Sequence, residues 1–464
     1  MAVTTAEITT VNPATEAEIK RYPVMAEAEV DAILESVRES FAGWRALPIT
    51  ERGELMRTAA AVLRRRADEL AELITQEMGK PLAESRSEIA KCATACDYFA
   101  ERAPAFLADE PAPSDSPSSF VAFEPLGTVL AIMPWNFPFW QVVRFAAPAL
   151  MAGNTAVLKH AGNTTGSALA IESVLRDAGF PDSVFRTLVV PGRQVAPIIE
   201  DSRIAAVTLT GSDTTGTEVA ATAGRTLKKT VLELGGSDAF VVFADADVEA
   251  AAETAVRSRF QNCGQSCIAA KRFIVVDTVA DRFEEAMVAA VQRLLVGDPD
   301  DPLTQMGPLA RSDLRDDLER QLGASLTQGA RLLTGGRRLD RRGWFFEPTV
   351  LTGCAPGMQA FDEETFGPLA AVARVSGEDE ARALANRSAF GLGGNVWTSD
   401  VEHGIRFARS LETGGVFVNG MTHSDPRLPF GGVKRSGYGR ELYSFGIREF
   451  VNIKTIWVGS SPSP

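Results

Sequence analysis

Apolar positions in the first hundred residues recur at helical spacing. Val30, Ile33, Leu34, Val37 and Phe41 form an i, i+3, i+4, i+7 stripe, and residues 55–74 continue it, so this part reads as packed helices. Residues 88–100 form another helical stretch, with Cys92 and Cys96 one turn apart on its packed face. The run Glu110-Pro111-Ala112-Pro113-Ser114-Asp115-Ser116-Pro117 breaks helix and predicts a hinge or crossing segment, and 120–125 beyond it reads as a strand. From Gly127 the pattern changes. Short β-rich runs at 128–132, 156–159, 185–190, 205–209 and 231–232 alternate with helical stretches at 139–151, 167–178 and 216–223. Strands separated by helices of that length predict βαβ units and a parallel sheet. Residues 238 to about 431 repeat the alternation, with strands such as 272–276 and 415–419, and predict a second α/β domain. The run 453–458 is a strand without a local partner, a kind that pairs with another segment or subunit.

A chain of 464 residues exceeds one hydrophobic core and agrees with two or three domains. A net charge of -13 argues against nucleic acid and anionic membrane surfaces as partners, although a local pocket on an acidic protein can still be positive. The five cysteines are an odd number in a long chain, which fits a reducing compartment better than a disulfide framework. His160, His403 and His423 lack metal-ligand spacing, so no metal is expected. Met1 to Thr5 has neither the basic nor the apolar region of a secretory signal, and the apolar run 137–152 contains Gln141 and Arg144 and is too short to span a bilayer. The expected location is cytoplasmic.

Candidate chemistry centres on Phe260-Gln261-Asn262-Cys263-Gly264-Gln265-Ser266-Cys267, two thiols among glycine and neutral amides with no histidine nearby. A thiol in such a loop suits attack on an electrophilic carbon; read alone, both cysteines serve equally as small core residues. Thr210-Gly211-Ser212 joins a strand to a helix start, where backbone N–H groups suit a phosphate, and Gly192 and Lys159 mark two further strand ends. Together such strand ends point to a dinucleotide site. Glu233-Leu234-Gly235-Gly236 places a carboxylate at a strand end, and Pro134-Trp135-Asn136-Phe137-Pro138 is a rigid aromatic loop carrying one amide.

From about Asn12 to Trp457 the chain resembles the aldehyde dehydrogenase superfamily. The motifs just quoted carry the resemblance, with Gly264-Gln265-Ser266-Cys267, Glu363-Glu364-Thr365-Phe366-Gly367-Pro368 and Pro429-Phe430-Gly431-Gly432, all in the family's order. The resemblance implies an α/β aldehyde dehydrogenase fold. Its Rossmann-like cofactor domain would take 1–111 and 127–236, an α/β catalytic domain 237–440, and a small β oligomerisation arm 112–126 and 441–458. A homodimer or homotetramer follows from that arm.

It also implies roles. Cys267 would attack the aldehyde, Asn136 and the Cys267 N–H would hold the alkoxide, and Glu233 would activate water to release the acid. Lys159, Ser212, Glu364 and Phe366 would bind the cofactor, with Trp135, Gly192, Gly211, Leu234 and Gly235. Cys263 has no catalytic role in the family. NAD-preferring members place a glutamate three residues after the strand-end lysine; Gly162 stands there, so NADP is expected to be preferred, with NAD also used. In the branch acting on succinate semialdehyde an arginine eight residues after the loop asparagine grips the distal carboxylate. Arg144 fits that position and Ser424 a third one, whereas Gln261 stands where the branch has a second arginine. The expected reaction is oxidation of succinate semialdehyde to succinate. A general aliphatic aldehyde, or a non-catalytic role on the same fold, are the competing readings.

Overall fold

The computed structural model describes residues 6–459; Met1 to Thr5, read for a signal segment, lie outside the described residues. The chain opens on a strand pair and not on a helix: Glu7–Val11 and Glu18–Pro23 run antiparallel. Most of their positions are half-buried or exposed and polar, so the pair lacks the alternation that reveals a strand. The predicted helices follow as Glu27–Ala46, Ile49–Arg65, Ala67–Met78 and Leu82–Phe106.

The first large sheet runs in the order Gly437–Tyr438, Lys229–Glu233, Ile204–Thr210, Thr128–Met133, Thr155–His160, Phe185–Thr187, parallel except for the first. Every position of Thr128–Met133 is buried, as expected where helices cover both faces of a parallel sheet. The expected strand at 185–190 ends at Thr187: the Leu188 N–H still donates to the Leu158 carbonyl of the neighbouring strand, but the Val189 N–H donates to the Met25 sulfur instead. From Thr128–Met133 the chain builds outward to Phe185–Thr187, then returns to the other side with Ile204–Thr210. That reversal opens a crevice at the carboxyl ends of these two neighbours.

The chain crosses from this sheet to the next at 234–237. The second sheet has seven strands, in the order Arg331–Thr334, Thr349–Thr352, Leu369–Val375, Ala270–Val276, Asp238–Val242, Gly393–Trp397, Gly415–Val418. Only Arg331–Thr334 is antiparallel to its neighbour. A third sheet is Val451–Val458, Ser118–Pro125 and Glu110–Pro111. The terminal strand therefore has a partner within the chain: it pairs with Ser118–Pro125 along eight residues and leaves its other edge open. Among the described residues no helix is long and apolar enough to cross a membrane.

Candidate active site

Four chain segments meet around Cys267. Residues 134–138 leave the carboxyl end of Thr128–Met133, and Gly211-Ser212 leaves that of Ile204–Thr210. Glu233 ends Lys229–Glu233, and the cysteine loop precedes Ala270–Val276. The 134–138 loop is tied down by His160, whose Nε2 lies 3.0 Å from the Pro138 carbonyl while Nδ1 accepts the Ala161 N–H at 2.9 Å. Burial pulls this imidazole down to about 4, so it stays neutral and Nε2 carries the proton.

The cysteine loop holds an uncommon backbone. Asn262 and Cys263 adopt left-handed φ of 52° and 56°. Such positions persist only when the surroundings over-determine them. Here the Asn262 N–H donates to the Glu84 carboxyl at 2.9 Å, and its amide donates to the Asn136 carbonyl at 2.8 Å. Gln265 bridges the Asn262 carbonyl and the Ala310 N–H, and the buried Lys271 ammonium donates to the Ser266 and Cys267 carbonyls. Cys263 is buried in the core of the second sheet, while Cys267 is only partly buried.

Two clefts meet at Cys267. One, of about 990 Å³, gathers Trp135, Asn136, Gly211, Ser212, Leu234, Gly235, Glu364 and Phe366. The other, of about 600 Å³, is lined by Lys91, Arg144, Gln261 and Ser424. Cys267 and Gln141 belong to both. Burial raises the Cys267 thiol to about 12, with Arg144 and Lys271 pulling the other way. Asn136 donates through Nδ2 to the Gln265 carbonyl at 3.0 Å, and Gln141 Nε2 donates to its Oδ1 at 2.9 Å, which fixes the direction of the amide.

Both Glu233 oxygens are buried without a hydrogen-bond partner among the described residues. Burial, then the neighbouring Glu441, push this carboxyl well above the usual carboxylate range, and Arg144 opposes them. The closeness of the Pro429–Gly432 turn is shown by Gly431, at φ 151°: a Cβ there would lie 2.7 Å from Glu233 Oε1. In the larger cleft, the Glu364 carboxyl accepts the Gly236 N–H at 2.9 Å, and a Cβ on Gly235 would collide with it. Trp135 and Phe366 meet edge to face at 5.7 Å. Ser212 caps the helix Asp213–Arg225 by accepting the Thr215 N–H. Lys159, Gly162 and Gly192 do not line this cleft; they sit at or just beyond the carboxyl ends of neighbouring strands of the same sheet. Lys159 has no ion pair among the described residues.

Arg144 is buried. All of Trp140–Met151 is buried, and the guanidinium packs in an ion pair with Glu441, its centre 4.6 Å from that of the Phe430 ring, while Nη2 donates to Thr210 Oγ1 at 3.2 Å. Gln261 is exposed, and Ser424 is buried. Glu84, Glu88, Lys91, Gln141, Lys271 and Glu441 also belong to the site, and no motif singles them out in the sequence. Glu84, Glu88 and Lys91 did leave a signal, a charged i, i+4, i+7 stripe on one face of Leu82–Phe106.

The aldehyde dehydrogenase family model matches residues 2–456. The chain belongs to the aldehyde dehydrogenase family. Among its relatives, a probable succinate-semialdehyde dehydrogenase [NADP(+)] of Synechocystis sp. is 48% identical, covering 97% of this chain and 99% of the relative. The succinate-semialdehyde dehydrogenase [NADP(+)] of Mycobacterium avium is 49% identical, covering 98% of each. The solved structure of succinic semialdehyde dehydrogenase from Streptococcus pyogenes in complex with NADP+ superposes with a TM-score of 0.96 at 38% identity, covering 98% of this chain and 100% of that one. The likeness covers 98% of this aldehyde dehydrogenase family member, and so takes in both large sheets and the three-stranded one.

Proposed function

We propose that the protein oxidises succinate semialdehyde to succinate with NADP as the hydride acceptor. The observation that carries this reading is the position of Cys267 on the wall shared by two clefts, one shaped for a dinucleotide and one for a small polar substrate. The cofactor cleft fits its ligand: flat apolar walls at Trp135, Leu234 and Phe366 lead to a helix N-terminus at Ser212, where a phosphate is stabilised. NADP, when bound, takes up the hydride that leaves the aldehyde carbon.

The chain's own residues do the rest. Cys267 Sγ, as thiolate, bonds to the aldehyde carbon and the carbonyl oxygen becomes an alkoxide. The Asn136 amide and the Cys267 N–H are neutral donors for that charge. Loss of hydride leaves a thioester on Cys267. Glu233, with its raised carboxyl and unpaired oxygens, takes a proton from water as the water attacks the thioester; the C–S bond breaks, the acid departs, Cys267 returns as thiolate with the bonding pair, and the proton on Glu233 passes to solvent. Gly162 presents no carboxylate to repel a 2′-phosphate and Lys159 is a nearby cation, which supports NADP over NAD; both relatives above carry NADP(+) in their names.

A general aliphatic aldehyde is the second reading, favoured by the pairing of Arg144 with Glu441 and by the uncharged Gln261. NADPH and NADH formation, measured with succinate semialdehyde and with butanal, separates the two. The highest kcat/KM is expected for succinate semialdehyde with NADP. Equal values for both aldehydes establish the second reading, and no turnover of any aldehyde removes the catalytic one. We also infer a homo-oligomer, because the open edge strand Val451–Val458 exposes Ile453, Trp457 and Val458. A monomer in sedimentation would contradict this.

A further inference from the structure

Lys91 stands in an unusual position for an ammonium. It projects from Leu82–Phe106 into the wall of the substrate cleft, half-buried, with its Nζ 4.1 Å from the centroid of the Trp140 ring. Among the described residues no carboxylate lies within ion-pair distance of it. The two acids whose charge reaches it are already engaged, Glu88 with Lys80 and Asp425 with Arg427. A cation withdrawn from water without a counter-charge is costly, and buried charges are as a rule paired, so this one leaves room for an anion.

Ser424 carries the same message through its hydroxyl. Its oxygen accepts from Lys91 Nζ at 2.8 Å and from Trp140 Nε1 at 2.9 Å. A hydroxyl has two lone pairs and one hydrogen; both lone pairs are used, so the hydrogen is left to donate. It has no acceptor among the described residues. Lys91 likewise has N–H groups to spare. An ammonium and a hydroxyl, side by side on one wall and both short of an acceptor, fit one carboxylate.

Resting on the reading of succinate semialdehyde as substrate, we propose that Lys91 receives the distal carboxylate, with Ser424 as co-donor, and supplies the charge that Gln261 lacks. Arg144 adds less to that contact than its position in sequence implies, because Glu441 already neutralises it. The electrostatics agree in sign. Burial, then Arg144, pull the Lys91 ammonium down to about 8, and a bound carboxylate would raise it again.

The test compares kcat/KM for succinate semialdehyde with that for butanal, in the wild type, Lys91→Met and Lys91→Arg, with NADP. Loss of one charge-assisted contact lowers the ratio of the two values about ten- to a hundredfold in Lys91→Met, chiefly through KM, and Lys91→Arg recovers most of it. A Lys91→Met ratio equal to that of a wild type which prefers succinate semialdehyde overturns the Lys91 assignment alone. A wild type with no preference overturns the substrate reading, and the assignment with it. If Lys91→Met does not fold, Lys91→Gln carries the same comparison.

Discussion

One amide hydrogen of Asn136 goes to the Gln265 carbonyl, and the other has no protein acceptor among the described residues. Gln141 makes the difference between the two ends of that amide, since its own N–H fills Oδ1 and prevents a flip. Asn136→Ala should therefore lower kcat by roughly 10²–10³, the cost of one oxyanion donor. Gln141→Leu should lower it on the order of tenfold, the worth of one hydrogen bond, with KM little changed. Steady-state kinetics check both, and an unaltered kcat in Gln141→Leu would remove its orienting role. Glu233 makes a different prediction, on stability. Its folded carboxyl holds a proton more tightly than the unfolded one, so folding loses stability as pH rises above the ordinary carboxylate range of about 4. Glu233→Gln removes the titration. Its thermal midpoint should exceed that of the wild type by a margin that widens from mildly acidic to neutral pH; a constant margin would contradict the raised carboxyl.

The helix Leu82–Phe106 reaches three parts of the site from one face. Glu84 holds the Asn262 backbone, Lys91 lines the cleft, and Glu88 accepts the Phe139 and Trp140 N–H groups at 2.9 Å each. Glu88 so caps the helix that carries Gln141 and Arg144, while also neutralising the fully buried Lys80. Glu88→Leu leaves that ammonium unpaired in the interior, a loss of about 3–5 kcal/mol that a denaturant midpoint would record. Adding Lys80→Met should restore much of the stability, yet not kcat, because the cap stays missing. Recovery of both would show that Glu88 serves only the ion pair. The sequence exposes this helix but not its work. Charged residues at i, i+4, i+7 look the same on a solvated face and on a buried one, and only tertiary packing decides between them. The alternating β and α runs after Gly127 were legible for the opposite reason: the central strands are buried on both faces and therefore written as continuous apolar runs. The opening hairpin, polar and half-exposed, carries no such mark.

At the scale of the molecule, the crevice of the first sheet faces the cysteine loop that precedes a central strand of the second. Cys267, Glu233 and Asn136 stood out in sequence because each lies in a short motif with glycine or proline neighbours. Glu441 did not, since it is brought to Glu233 by a strand pairing of the chain end with the first sheet, Gly437 opposite Glu233. On the proposed mechanism Cys267 carries the substrate covalently and Glu233 releases it. Mass spectrometry of Glu233→Gln, quenched after mixing with succinate semialdehyde and NADP, is the decisive measurement. A burst of NADPH of about one equivalent per active site is expected, with an acyl adduct on the peptide containing Cys267, at Cys267 itself. An adduct on Cys263, or steady turnover with no adduct at either thiol, would contradict it.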